Sequence, residues 1–452
     1  MIPRESKQDQ GGALTVEYKL DNGYTLTSIT GARQTRVHWL EDDDNSTKDF
    51  YVEDLRTQQR LWSEEARIAS PVGKLFDYVA GLYYYHEDAA YYDPIYSGVD
   101  AGGPAMHFVN DRIQTVDSAA FVHGNIHVTS QLNLFGGLRY TDETQSIIGE
   151  SQIGPASAWT YATFNTTGGF IAPLTLPASQ HNSIKTDQLN WELGAEYHFT
   201  PNVMAYAKAS TGFKGGGFNT SNGLAVLPEH LTAYEIGEKS TLFDKRLSLD
   251  TAVFYNDYSN LQVRSECISC VPIAIILQNA ATVRAEGVDI SLKAVPVDNL
   301  SIGVGIGYVD SKYVSFKNVK SVFGVIFDAS GHALAQSPPW TYNAEATYSY
   351  PLANGGSLVG HVDGNYVGAR YGSADGGQNS AYYALPAYSI ANARFGYQAP
   401  ASAWSMFVWV KNLTNVVAQT DKTYVPFSAA LAEDEVTYNE PRTYGVTMRA
   451  KF

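Results

Sequence analysis

The chain has 452 residues, 13% of them aromatic and 17% charged, with 31 tyrosines against five methionines. Lys plus Arg number 31 and Asp plus Glu 46, a net charge of −15, which argues against a nucleic-acid partner. The longest apolar run, Val271 to Leu277, carries Pro272 and falls far short of the roughly 18 residues that a membrane helix needs, so a helical membrane protein is excluded.

In chain order, Met1 to Gln10 (MIPRESKQDQ) lacks the apolar stretch of about 7 to 15 residues that a secretory signal requires. It reads as a polar segment ahead of a single domain over residues 11–452. From there the apolar residues follow a period of two, the mark of a strand whose faces meet different surroundings. Leu132, Leu134, Gly136, Leu138 and Tyr140 alternate loosely with Asn133, Phe135, Gly137, Arg139 and Thr141. The alternation is strict from Leu189: Trp191, Leu193, Ala195, Tyr197 and Phe199 against Asn190, Glu192, Gly194, Glu196 and His198. It returns at Leu247, Leu249, Thr251, Val253 and Tyr255, and again at Tyr444, Val446, Met448, Ala450 and Phe452.

Short clusters that supply hairpin backbone angles separate such segments. They are Asp21-Asn22-Gly23, Pro71-Val72-Gly73, Thr200-Pro201-Asn202, Phe243-Asp244-Lys245, Pro296 to Asn299, Asn354-Gly355-Gly356 and Pro400-Ala401-Ser402. Between the hairpins lie longer stretches, read as loops: 88–111, 150–185, 214–230, 316–338, 370–385 and 419–440. Short turns at one end and long loops at the other predict an all-β fold, an antiparallel transmembrane β-barrel. Tyr83, Tyr84, Tyr85, Tyr255, Tyr258, Tyr348 and Tyr350 crowd the strand ends, where amphipathic rings suit a membrane interface. The competing reading places these rings in a soluble β core.

The count is about 17 strands of roughly ten residues. Bacterial single-chain barrels have even counts and must close. With the last strand ending in the periplasm, the first must run inward, and an N-terminally truncated barrel of about 22 strands satisfies the parity.

Four stretches resemble the β-barrel portion of TonB-dependent outer-membrane receptors. Ala205 to Asn219 (AYAKASTGFKGGGFN) is similar to that family's strand ending in Gly-Phe-Lys-x-Gly-Gly-Phe-Asn, and Leu231 to Gln262 to its Glu-x-Gly-x-Lys hairpin. Asn279 to Leu292 resembles its Asn-Ala…Gly-Val strand and Val410 to Asn415 its late Asn-Leu-Thr motif. The aromatic last residue, Phe452, is similar to an outer-membrane assembly signal. The resemblance implies TonB-dependent uptake of a scarce ligand such as a ferric siderophore, cobalamin or a saccharide. Its partners would be outer-membrane lipid, a small-molecule or metal-chelate ligand and, only through a plug segment that this sequence does not show, the TonB system. The expected location is the bacterial outer membrane. A passive diffusion pore and a soluble all-β saccharide binder are the alternatives.

Candidate ligand contacts are Tyr91, Tyr92 and Tyr96, in a stretch read as an aromatic loop, and Phe213, Lys214, Phe218 and Asn219 around a glycine-rich one. Aromatic and glycine-rich loops can stack on a ring system or sugar, and they can equally serve as structural caps. Arg139, Glu192, Glu196, Glu235, Lys239 and Asp250 fall on the polar face and are expected to line a lumen. Cys267 and Cys270 read as a small loop disulfide, because no second Cys or His pair completes a four-ligand metal site. Glu41 to Asp44 reads as a solvated acidic loop. No nucleophile-and-base motif stands out, so no catalytic residue, metal site or cofactor is assigned.

Overall fold

A strand with hydrocarbon on one face and water on the other needs alternation at every second residue, and the computed structural model turns most of the chain into such strands. It describes residues 4–42, 51–73, 75–97, 105–155, 180–219, 225–267, 274–279, 282–317, 319–320, 326–373, 383–428 and 431–451. Seventeen strands join in one antiparallel sheet. The first eight are β1 (Arg4–Lys19), β2 (Thr25–Asp42), β3 (Tyr51–Ala69), β4 (Phe76–Ser97), β5 (Ala105–His127), β6 (Leu132–Pro155), β7 (Gln180–Thr200) and β8 (Val203–Lys214). The rest are β9 (Glu229–Leu242), β10 (Leu247–Ser259), β11 (Thr282–Ala294), β12 (Leu300–Ser315), β13 (Trp340–Pro351), β14 (Ser357–Val367), β15 (Tyr388–Gln398), β16 (Trp404–Lys411) and β17 (Thr443–Ala450). Each pairs with its chain neighbours, from β1 with β2 to β16 with β17. In this pairing β1 and β17 are the edges and run the same way, toward the short turns.

All seven turn clusters expected from the sequence join hairpins at one end of the sheet. Gly23, Gly355 and Asn299 take the positive φ values of 87°, 82° and 68° that tight turns demand. An eighth turn, after β5, has no glycine or proline. There the Thr129 hydroxyl accepts the backbone N–H groups of Gln131 and Leu132 at 3.1 and 2.9 Å, a turn closed by its own side chain.

Register fixes the faces, since directly paired residues point the same way. Leu14, Leu82, Leu138, Leu193, Ile236, Val253, Val362 and Val446 all project from one side and are between 48% and 64% exposed. An apolar surface that continuous is solvated by lipid and not by water. Aromatic rings bound it at both ends. Near the short turns are Tyr24 against Tyr78, Tyr197 against Phe199 and Tyr397 against Trp404. At the far end Trp62 meets Tyr84 at 4.9 Å, and Tyr308, Trp340, Tyr342 and Tyr366 form a run with centroids 4.6 to 5.7 Å apart. The pleat divides the three consecutive tyrosines: Tyr84 faces lipid, while Tyr83 and Tyr85 face the other side. Tyr255 faces lipid, and Tyr258 packs into a loop core.

The strands of the first half outrun the membrane. β4 to β7 have 22, 23, 24 and 21 residues, against the 9 to 11 that span it. Residues 88–111, read as a loop, are mostly the outer ends of β4 and β5, paired as far as Ser97 with Ala105. Residues 4–10, read as a separate polar segment, are the outer half of β1. Glu41 and Asp42 close β2, and Asp43 and Asp44 lie outside the described residues, as does Phe452. Beyond the outer aromatic belt, two-stranded ribbons such as Gln262–Cys267 with Ala274–Asn279 and Gln419–Ser428 with Leu431–Tyr438 build the loops. A small apolar core of Val283, Tyr313, Phe316, Val319 and Ala329 sits among them.

Candidate functional site

The face opposite the lipid carries Arg139, Glu192, Glu196, Glu235, Lys239 and Asp250, as the register shows. These side chains form cross-strand contacts. Glu192 meets His123 at 3.4 Å, and Glu196 accepts from the Asn133 amide at 3.1 Å. Asn133 in turn meets His127, which bonds Asp77 at 2.6 Å. Glu235 accepts from the Tyr206 hydroxyl at 2.6 Å and meets Lys208 at 3.5 Å. Lys239 and Asp250 are direct register partners, and the Arg139 guanidinium lies 5.2 Å from the Tyr83 ring centre. A ladder of alternating charge in contact with water stays hydrated and presents hydrogen bonds along its whole height.

Glycine and aromatic residues smooth the same wall. The Glu-Ile-Gly-Glu-Lys hairpin (235–239) has a physical reading: a Cβ at Gly237 would stand 2.6 Å from the Tyr206 hydroxyl. Glycine there lets the Tyr206 ring lie flat between Glu235 and Lys239, whose ammonium is 5.7 Å from the ring centre. The same arrangement recurs where Phe135 covers Gly194 and Phe254 covers Gly287.

At the outer end, side-chain amides knit the loops. Asn219 donates to the Leu277 carbonyl at 2.9 Å and accepts from its N–H at 2.6 Å. Gln262 donates to the carbonyls of Gly215 and Leu227, and Asn279 to those of Leu227 and Asn260. The chain after Lys214 passes inward over the wall: a Cβ at Gly216 would stand 2.5 Å from the Ile184 side chain and 2.8 Å from the Val226 carbonyl. Farther round, Arg370 donates to Gln336 and to the Thr420 carbonyl at 2.9 and 2.6 Å, with its guanidinium 5.9 Å from the Tyr388 ring centre. Burial pushes the Tyr313 phenol up to about 12. The hydroxyl and N–H of Ser330 hold the exposed Asp328 carboxylate below its usual range.

These contacts redistribute the expected ligand residues. Phe218 and Asn219 are buried, at 9% and 8% exposure, and the Asn219 amide engages Leu277 in both directions, so it braces the loop. Tyr91 is on the inner face of β4. Tyr92 is on its outer face, 5.9 Å from the Arg56 guanidinium, and so points away from the lumen. Tyr96 pairs in the ladder with Val52 and Met106. Phe213 shares the lipid-side parity of β8, and Lys214, exposed, ends that strand on the inner face. Cys267 ends its ribbon strand, and Cys270 lies outside the described residues. Gln262, Asn279 and Arg370 were missed by the sequence reading. Gln262 and Asn279 carried a signal, as the last and first residues of two family-like stretches; Arg370 carried none.

The family described as TonB dependent receptor-like, beta-barrel matches residues 3–413. The metal-pseudopaline receptor of Pseudomonas aeruginosa is 28% identical over 227 residues, 49% of this chain and 28% of that protein. The catecholate siderophore receptor of Escherichia coli K12 is 24% identical over 377 residues, 79% of this chain and 44% of that protein. This chain thus spans less than half of either relative. Among solved structures, the ferric yersiniabactin uptake receptor of Yersinia pestis superimposes with a TM-score of 0.78 at 18% identity, over 100% of this chain and 62% of that one.

Proposed function

Since the chain belongs to the TonB dependent receptor-like β-barrel family, an outer-membrane class, we propose that it serves in a receptor that takes up a metal chelate of the ferric siderophore type. The observation that supports this reading is the combination of a polar inner wall with outer loops knit together by side-chain hydrogen bonds. A chelate rich in oxygen donors and rings meets amides, hydroxyls and aromatic faces there, and hydrogen-bonding surfaces of this kind fix orientation while apolar rings supply contact area. Release inward needs energy from the TonB system, reached through a plug segment.

The test is accumulation of radioactive iron supplied as a ferric catecholate, in cells with and without the intact gene, before and after a protonophore. The expected result is uptake that needs both the gene and the proton gradient. Single-channel recordings of the purified full-length product that show steady, large conductance with no energy source would overturn the reading in favour of a diffusion pore.

A further inference from the structure

The outward face of β1 to β4 changes character just beyond the aromatic belt. Trp62 and Tyr84 mark the edge of the hydrocarbon, and two residues farther along the same face of β3 stands Arg60. Across the strand pair, Arg60 is opposite Gln34 and Arg36 opposite Gln58. With the amides oriented to satisfy their neighbours, Gln34 accepts from Nε and Nη2 of Arg36 at 3.1 Å, and Gln58 accepts from Nε and Nη2 of Arg60 at 2.8 Å. Each guanidinium is thus aimed by a neutral partner and keeps its full charge and its remaining donors.

Beside them is a groove of about 520 Å³ lined by Gln8, Arg36, His38, Arg56, Gln58 and Tyr92. Its frame is built: Asp54, 3% exposed, holds His38 at 2.7 Å and Arg56 at 3.0 Å. Farther along, Arg112 donates to Asp88 at 2.8 Å. Among the described residues Arg36 has no carboxylate within ion-pair distance, and Arg60 lies opposite Asp88 in the ladder, a carboxylate that Arg112 already holds. Arg36, Arg56, Arg60 and Arg112 against Asp54 and Asp88 leave this band a positive surplus on a chain whose net charge is −15.

We propose that this outward band of Arg36, Arg56 and Arg60 binds the phosphate of a lipid headgroup in the outer leaflet. Position and chemistry agree. The band faces away from the lumen, at the height where headgroups begin, and planar guanidinium forks match phosphate oxygens. A lumen ligand does not reach this side of the sheet, so the proposal stands whatever chelate the receptor takes up.

The test uses the full-length receptor in phosphatidylcholine nanodiscs, titrated with diphosphoryl lipid A and followed by native mass spectrometry. Removing one surface arginine should weaken binding about fivefold, and Arg36→Gln with Arg60→Gln together about 25-fold. Lys185→Gln is the control, because Lys185 already meets Asp142 and Asp187 at 2.9 and 3.1 Å on the same outward face; its binding should not change. Equal unfolding midpoints for the variants and the parent establish that the loss is local. Undiminished affinity of the double variant, equal affinity for the dephosphorylated lipid, or displacement by inorganic phosphate at the same concentration as the lipid would each overturn the proposal.

Discussion

Leu193→Arg tests the assignment of the two faces most directly. Leu193 is 64% exposed and pairs with Gly136 on β6 and Ala209 on β8. It lies seven residues before the end of β7 at Thr200. At about 3.3 Å per residue and a tilt near 45°, that is roughly 16 Å above the inner rim, close to the middle of a hydrocarbon band about 25 Å tall. An arginine at that depth costs about 2–4 kcal/mol, which shifts the folding equilibrium roughly 30- to 700-fold. Its neighbour Glu192 points to water, and Glu192→Arg gives up only a 3.4 Å contact with His123, so its cost should stay within about 1 kcal/mol. The assay is the urea unfolding midpoint of the full-length protein in lipid vesicles, with folded protein in the outer-membrane fraction as a second measure. If the two substitutions cost the same, the parity argument fails and the faces are wrongly assigned.

Asn412→Ala should destabilise the outer turn before β17 by about 1–3 kcal/mol. The Asn412 side chain accepts from the Val416 N–H and donates to the Val416 carbonyl, both at 2.8 Å, and only 3% of the residue is exposed; an unchanged urea midpoint would show that these bonds are dispensable. Gly216→Val should push the glycine-rich chain off Ile184 and the Val226 carbonyl at a local cost of about 1–3 kcal/mol, read as faster tryptic cleavage after Lys214. Cleavage at the parental rate would mean that the chain does not lie on the wall there. Cys267 and Cys270 should titrate no free thiol in protein taken from the cell envelope and two after reduction; two thiols before reduction would remove the disulfide.

Where each strand lies and which way it faces was legible because the membrane imposes a period of two. Leu189 to Phe199 and Tyr444 to Ala450 could be read residue by residue. The outer halves of β2 to β7 were not, for a physical reason: beyond the headgroups both faces of the sheet meet water, and the alternation fades. Gln34-Thr35-Arg36-Val37-His38 shows no apolar alternation in sequence and is a strand in register with β1 and β3. The same cause misplaced Tyr91 and Tyr92, since adjacent residues called one aromatic loop become opposite faces once the strand is recognised. The loop braces were hidden differently. Arg370 joins Gln336 to Thr420 across 34 and 50 positions, and no local pattern records such a pairing. The turn at Thr129 escaped because a hydroxyl does there what glycine or asparagine does elsewhere.

The glycines of the inner wall answer to the aromatic rings beside them, and one pair isolates the effect. Gly194 and Phe135 are register partners on β7 and β6. A Cβ at Gly194 would stand 2.2 Å from Phe135 Cζ and within 2.8 Å of both Cε atoms, with no backbone atom among its three nearest neighbours. Alanine favours a strand over glycine, so propensity alone predicts that Gly194→Ala stabilises. Steric exclusion predicts the opposite sign, a loss of about 1–3 kcal/mol as the ring is forced from its seat. Phe135→Ala removes the obstacle and leaves only the propensity term, so Gly194→Ala made in that background should be neutral or stabilising. The difference between the two backgrounds is the coupling energy, expected at about 1 kcal/mol or more. Additive costs would mean that Gly194 is set by something other than Phe135. A negative coupling term of the expected size would make the ring the reason for the glycine, whereas at Gly237 and Gly287 the Thr251 and Tyr308 carbonyls stand 2.6 and 2.1 Å from a Cβ and would exclude it even without the ring.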